Sequence, residues 1–269
     1  MKNKYDAYAK YRYNYKSNSK KQIKKKSVLT VLFVIFSISV VVFFSLAFSN
    51  FLVVNKIVNV NSSFITNAKV LYALSLDSAN TVVSAKEISE KQQSQGGAGY
   101  VYFKNDKYFV ISSIYQNSQD CKKVQQNLKK SGLEPEIVEI LLPPINLKLN
   151  LSSNLLNLFT KAVNLFYENY TNLYSISTEF DKQTLDNTGA KMQIKQILDN
   201  NKTIYNDFSK QFSKSSNSSI IYTKIYLAKS NALLEDLLSL TDEKNMSSEI
   251  KQTYTKIIDN YLDFTNTFA

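Results

Sequence analysis

The sequence predicts an α+β chain in four parts: a basic tail (1–26), an apolar membrane-spanning helix (27–54), a small antiparallel sheet domain (66–142) and an all-helical domain (150–269). Three observations predict it. Residues 27–55 carry no charged side chain. Residues 66–142 read as strand, helix, strand, strand, helix, strand. Residues 150–269 contain no Pro and one Gly, Gly189, with apolar residues at steps of three and four.

The apolar run from Val28 to Phe48 is long enough for the roughly 20 residues that cross a hydrocarbon core, and inside lipid only a helix satisfies its own backbone. Ten Lys/Arg against one Asp precede it, while Lys56 and Lys69 are the only cations between its end and Ser75. That bias predicts a single-pass plasma-membrane protein with a cytoplasmic N-terminus and an extracytoplasmic C-terminus. A cleavable signal peptide is the competing reading, but its apolar region would be shorter. The tail is expected to set topology and touch anionic lipid, at about 1 kcal/mol per residue near the surface.

The net charge of +11 does not imply nucleic acid. Removing the tail's ten cations and one anion from the chain's 33 and 22 leaves 23 and 21, a nearly neutral remainder. With no His, triads, imidazole acid–base chemistry and His-containing metal sites are unavailable. One Cys makes no intrachain disulfide, and Cys121, at an apolar helical position, reads as a small hydrophobe. Gly96–Gly99 (GGAG) lacks the spacing of a phosphate loop. Neither an enzyme nor a cofactor is predicted. The Asn, Lys, Ile, Tyr and Ser bias resembles the composition of AT-rich bacterial genomes, so the outside reads as a bacterial cell envelope.

Within 66–142, Val70–Leu76 is a strand-length apolar run. Ser78 can cap a helix reaching about Gln95 and stopped by Gly96-Gly97. Tyr100–Phe103 is an aromatic, β-branched strand, Asn105-Asp106 a two-residue turn and Lys107–Tyr115 its partner strand. Asn117 or Ser118 caps a second helix, and Gly132 stands where a left-handed glycine ends one. Glu134–Leu142 is the last strand before Pro143-Pro144. This order is the split-βαβ, ferredoxin-like plan: four antiparallel strands with both helices on one face and the other face open.

The segment resembles a SPOR domain, the bacterial module that binds peptidoglycan glycan strands lacking stem peptides, typically at the division septum. Tyr108–Tyr115 (YFVISSIY) is similar to the family pattern Tyr-Tyr-Val-x-Val-Gly-x-Phe, with Ser113 in place of Gly and Tyr115 in place of Phe. The helix from Asp120 to Leu128 and its ending Lys130-Ser131-Gly132 follow the family's helix pattern. Val70–Leu76 lacks the Gln and Gly usual in the first strand. The resemblance implies glycan binding on the open sheet face. Strand alternation puts Phe109, Ile111 and Ser113 there and Val110 and Ser112 towards the helices; on the neighbouring strand either Tyr100/Tyr102 or Val101/Phe103 shares that face, with Tyr102 favoured because its hydroxyl tolerates water. Tyr rings can lie on the C–H faces of sugars while their hydroxyls hydrogen-bond.

The helical domain reads as four helices with one apolar stripe each. The first runs from about Ser153 to Thr184, and the second follows Gly189 as far as Phe212. After a Ser/Asn-rich loop at 213–219, the third carries Ile221, Ile225, Ala228, Ala232, Leu234, Leu237 and Leu238 on its stripe. The fourth begins at Ser247 or Ser248. An antiparallel bundle is expected, serving as a spacer or as a docking unit for a protein partner. The expected function is therefore non-covalent peptidoglycan binding at division or sporulation septa. The alternative is an envelope scaffold for that machinery that does not touch glycan; a wall hydrolase is a third class, weakened by the absence of His.

Overall fold

A computed structural model describes residues 62–240 and 245–268. Residues 61–269 form one compact unit. Its elements are β1 (Ser62–Ile65), β2 (Lys69–Ala79), α1 (Val82–Ser94), β3 (Tyr100–Lys104), β4 (Lys107–Tyr115), α2 (Ser118–Lys130), β5 (Glu136–Leu142), β6 (Asn146–Leu149), α3 (Ser153–Asp181), α4 (Asn187–Gln211), α5 (Ser218–Ser239) and α6 (Met246–Asn266).

Local chemistry accounts for the ends of these elements. Asn105 and Asp106 both take positive φ (51° and 59°), the conformation a two-residue hairpin turn requires. Thr81, not Ser78, caps α1, because β2 stays paired with β4 as far as Ala79 opposite Tyr108. Asn117, Asp186 and Asn217 cap α2, α4 and α5 through their side-chain oxygens. At the end of α2, Gly132 has φ +82°, its N–H bonds Lys129 O and the N–H of Leu133 bonds Leu128 O. This pairing lets the glycine satisfy carbonyls the helix leaves open.

The four-stranded sheet has the order β3-β4-β2-β5, every neighbouring pair antiparallel. Two register shifts interrupt the β2–β4 ladder, between Leu74 and Ser75 and between Ser75 and Asp77. Such bulges bend and twist a sheet. The curl brings β5 towards β3 and β4: Lys104 Nζ of β3 donates to Glu139 O of β5 (2.7 Å), and Lys107 of β4 pairs with Glu136 of β5 (3.0 Å). Outside this sheet, β1 and β6 pair as a separate two-stranded ribbon, with Ser62 opposite Leu149. That ribbon is absent from the sequence reading; its strands are four residues each and lie some eighty residues apart in the chain.

The predicted architecture is corrected in two respects. First, the sheet is not an open two-layer domain followed by a separate bundle. Leu71, Ala73, Ile111, Ile114, Val138 and Ile140 share one continuous core with Tyr170 and Leu173 of α3, Ile194 of α4, Leu234 of α5 and Tyr254 and Ile258 of α6. Val110, next to Ile111 and also fully buried, points the other way, towards the side of α1 and α2. Both faces are covered. The apolar side chains on the bundle side are too large an area to leave in water, at about 25 cal/mol per Å². Second, among the described residues no helix is long and apolar enough to cross a membrane. This finding corrects the membrane-spanning architecture and the plasma-membrane localisation; the predicted tail (1–26) and span (27–54) lie outside the described residues.

A second core lies at the other end of the bundle and holds Phe159, Phe166, Phe208, Leu227 and Phe264. Phe166 packs against Tyr226, Tyr261 and Phe264, with ring centroids 4.9, 5.9 and 5.6 Å away. The boundary between the cores falls near Asn169 of α3, Asn201 of α4 and Ser230 and Asn231 of α5, all buried.

Candidate functional site

The side chains expected to line a glycan strand lie under the bundle. Ile111 is fully buried, and Tyr102 and Phe109 pack against the same core. Tyr100, opposite Ile111 across the β3–β4 ladder, donates its hydroxyl to Asp259 Oδ2 of α6 at 2.5 Å. Burial, then the carboxylate of Asp259, pushes the Tyr100 hydroxyl well above the usual phenol range. Burial also raises the Asp259 carboxyl, against the lowering effect of the Tyr100 bond and with a further rise from Asp263.

Ser113 departs from strict alternation. The register shift pairs Leu74 with Ser113 and Ser75 with Ile111, so Ser112 is the extra residue on β4 and Ile114, opposite Ala73, joins the buried face. A one-residue slip exchanges the faces of a strand. Ser113 Oγ lies 2.8 Å from the hydroxyl of Tyr254, a wholly buried ring of α6. The same hydroxyl accepts from Ile114 N–H at 3.4 Å, and Tyr170 of α3 donates to Ile114 O at 3.2 Å. Tyr102, Phe109, Ile111 and Ser113 are thus brought together, but as the seat of α3 and α6.

The glycine run has a packing role as well. Gly96 and Gly97 end α1, and their carbonyls accept from Lys251 Nζ (2.8 Å) and Ser248 Oγ (2.6 Å) of α6. Lys251 also pairs with Asp181 at the end of α3 (2.7 Å). Cys121 is buried, and burial pushes its thiol up to about 11, so the thiolate is scarce at neutral pH. Among the described residues no three His, Cys, Asp or Glu side chains stand close enough to hold a metal ion.

Three other surfaces carry exposed chemistry. At the tip of the β3–β4 hairpin, Phe103 is 55 % exposed and its ring stacks at a tilt on Tyr108, centroids 4.8 Å apart. They point away from Tyr102 and Phe109, their neighbours along each strand. The second surface is the outer face of α5. Ile221 (43 %), Tyr222 (40 %) and Ile225 (45 %) are exposed, and Ala228 and Ala232 continue the row. The sequence reading assigned Ile221 and Ile225 to the core; Ile220, Tyr226 and Leu227 take those places instead. Because α5 is apolar on two faces, periodicity alone could not tell which is inward.

The third surface is a cleft of about 210 Å³ between the ribbon, the sheet and helices α3 and α6. Lys69, Asn164, Tyr167 and Tyr261 contribute polar groups, and Leu142 and Val163 apolar wall. Lys69 Nζ sits 3.4 Å from the centre of the Tyr167 ring, close enough for a cation–π contact. Partial burial lowers the ammonium below its usual value. In the sequence Lys69 stands out only as one of two cations beyond the apolar run; its place in a cleft depends on chain segments far apart in sequence.

Compared with known proteins, the chain matches no family model, no curated protein and no solved structure.

Proposed function

We propose that this chain is a non-catalytic interaction protein that docks an acidic amphipathic helix of a protein partner on the outer face of α5. The observation that carries this reading is the exposed row Ile221, Ile225, Ala228 and Ala232, spaced four, three and four. That spacing is the seam of a helix–helix contact, and the two alanines allow close approach. Lys224 and Lys229 flank the seam from Ile221 to Ala228, so acidic residues on that part of the incoming helix complement it, while Glu235, paired with Lys202, and Asp236 lie one turn beyond Ala232.

Peptidoglycan binding, the function the resemblance implies, is supported less well. Its expected side chains pack beneath α3 and α6, leaving the Phe103–Tyr108 pair as the exposed aromatic platform on the sheet.

The test uses fluorescence anisotropy with two synthetic helices of about three heptads, Leu-seamed, one flanked by Glu and the other by Lys. The full chain is expected to bind the Glu-flanked helix and not the Lys-flanked one. Ile225→Glu, at an exposed site, should weaken binding by about tenfold or more, roughly the 1–2 kcal/mol of a buried Ile. Indifference to flank charge or to Ile225→Glu would overturn the docking. Enrichment on sacculi stripped of stem peptides, lost in Phe103→Ala, would return the glycan reading.

A further inference from the structure

The Lys69 cleft is formed by parts of the fold that the α5 reading does not use. Its floor comes from the β2–β5 ladder, where Lys69 stands opposite Leu142, and its walls from Val163, Asn164 and Tyr167 of α3 and Tyr261 of α6. Ile65, 64 % exposed at the end of β1, forms the apolar rim on one side. Thr66 ties that rim down: its Oγ accepts from Ile145 N–H at 2.9 Å, and its own N–H donates to Ile145 O at 2.9 Å. The cleft is therefore framed by backbone held at both ends.

No Asp or Glu lines it, and no carboxylate pairs with Lys69 among the described residues. Among the described residues the ammonium has only the face of Tyr167 as a partner. Lys69 is itself exposed, as are Asn67 and Asn164, so the ammonium stands at the open mouth of the cleft, where a concave wall without a counter-ion still concentrates positive potential. At roughly 30 Å³ per water, the cleft has room for about seven waters, or an organic molecule of around ten heavy atoms. One cation balances one negative charge; the Asn67 and Asn164 amides and the Thr66, Tyr167 and Tyr261 hydroxyls supply further donors but no second positive charge for a phosphate dianion. Ile65, Leu142 and Val163 offer nothing to a fully polar ion but do suit a hydrocarbon body.

We propose that this cleft binds a small amphipathic carboxylate, with its carboxylate on Lys69 Nζ and its apolar body against Ile65, Leu142 and Val163. Tyr167 and Asn164 flank the charged end and orient it.

The experiment titrates the full chain with benzoate, with its neutral isostere benzamide and with inorganic phosphate, followed by calorimetry and by amide shifts at residues 65–69 and 142. Benzoate is expected to bind saturably and shift those amides. Benzamide and phosphate should each be at least about tenfold weaker, the cost of losing one charge-assisted bond or an apolar contact. Lys69→Met should weaken benzoate by a similar factor, and Lys69→Arg should retain it. Absence of saturable benzoate binding, equal binding of benzamide, preference for phosphate or indifference to Lys69→Met would overturn the proposal. The benzoate–benzamide comparison uses the unaltered chain, so it decides even where a variant does not fold. None of these outcomes depends on α5, whose docking is read by Ile225→Glu.

Discussion

Asp259 shows how a carboxyl side chain is held at a junction built mainly of apolar side chains and tyrosines. It receives the Tyr100 hydroxyl beside Ile111, Ile140 and Ile258, where burial disfavours its charged form. Its carboxyl is raised, so the folded chain holds this proton more tightly than the unfolded chain. The folded state then binds more protons, and the contribution of Asp259 to stability falls as pH rises. The fall begins near the ordinary Asp value of about 4, runs up to the raised folded value and stays lost above it. Asp259→Asn keeps the shape and has no proton to lose. The urea midpoint of this variant relative to the unaltered chain is therefore expected to climb from about pH 4 to pH 7. A flat or falling difference would show that the Tyr100 bond, which favours the charged form, outweighs burial.

At the scale of elements, the two glycine-ended helices make separable predictions. A Cβ on Gly99 would lie 2.6 Å from both Ser89 O and Gln93 Cγ, with φ at +58° besides. A Cβ on Gly132 would meet nothing within 4 Å, so only its φ of +82° opposes substitution. Gly132→Ala is expected to cost about 1 kcal/mol, the usual price of a left-handed alanine. Gly99→Ala should cost more, about 2 kcal/mol or above, because backbone must move as well. Denaturant titration of both variants checks the order; equal losses would mean that the loop after α1 yields freely. The strands, the Asn105-Asp106 turn, the Asn117 cap and the Gly132 stop were legible in the sequence because each rests on residues within a few positions of one another. The β1–β6 ribbon was not, since Ser62–Ile65 and Asn146–Leu149 have only each other's backbone to mark them as strands. The slip at Ser112 was equally hidden, as YFVISSIY alternates well enough for an unbroken strand. Ile221 and Ile225 misled for the opposite reason, satisfying helical spacing on the wrong face of α5.

The whole molecule differs from its parts because the sheet has no free face. Tyr, Phe and Ile on β3 and β4 fit a half-open sheet as well as a sealed one, so the sequence of the strands does not say what covers them. What covers them is α3 and α6, through contacts 56 to 141 residues apart in the chain: Tyr170 to Ile114, and Tyr254 to Ser113 and Ile114. The bundle side of the sheet contributes Leu71, Ala73, Ile111, Ile114, Val138, Ile140 and Leu142 to the shared core, each 6 % exposed or less. Cutting the chain after β6 would bare all of them at once. Small domains already have little stability to spare, and an exposed apolar face of that extent is an association surface. A fragment of residues 62–149 is therefore expected not to fold on its own, giving poorly dispersed amide spectra and strong binding of an apolar dye. Residues 62–269 should instead unfold in one cooperative transition, with tyrosine fluorescence and far-ultraviolet dichroism changing together. A well-dispersed, monomeric 62–149 fragment with a sharp melting transition would mean that the sheet face tolerates water. The surface beneath α3 and α6 would then again be open to a ligand.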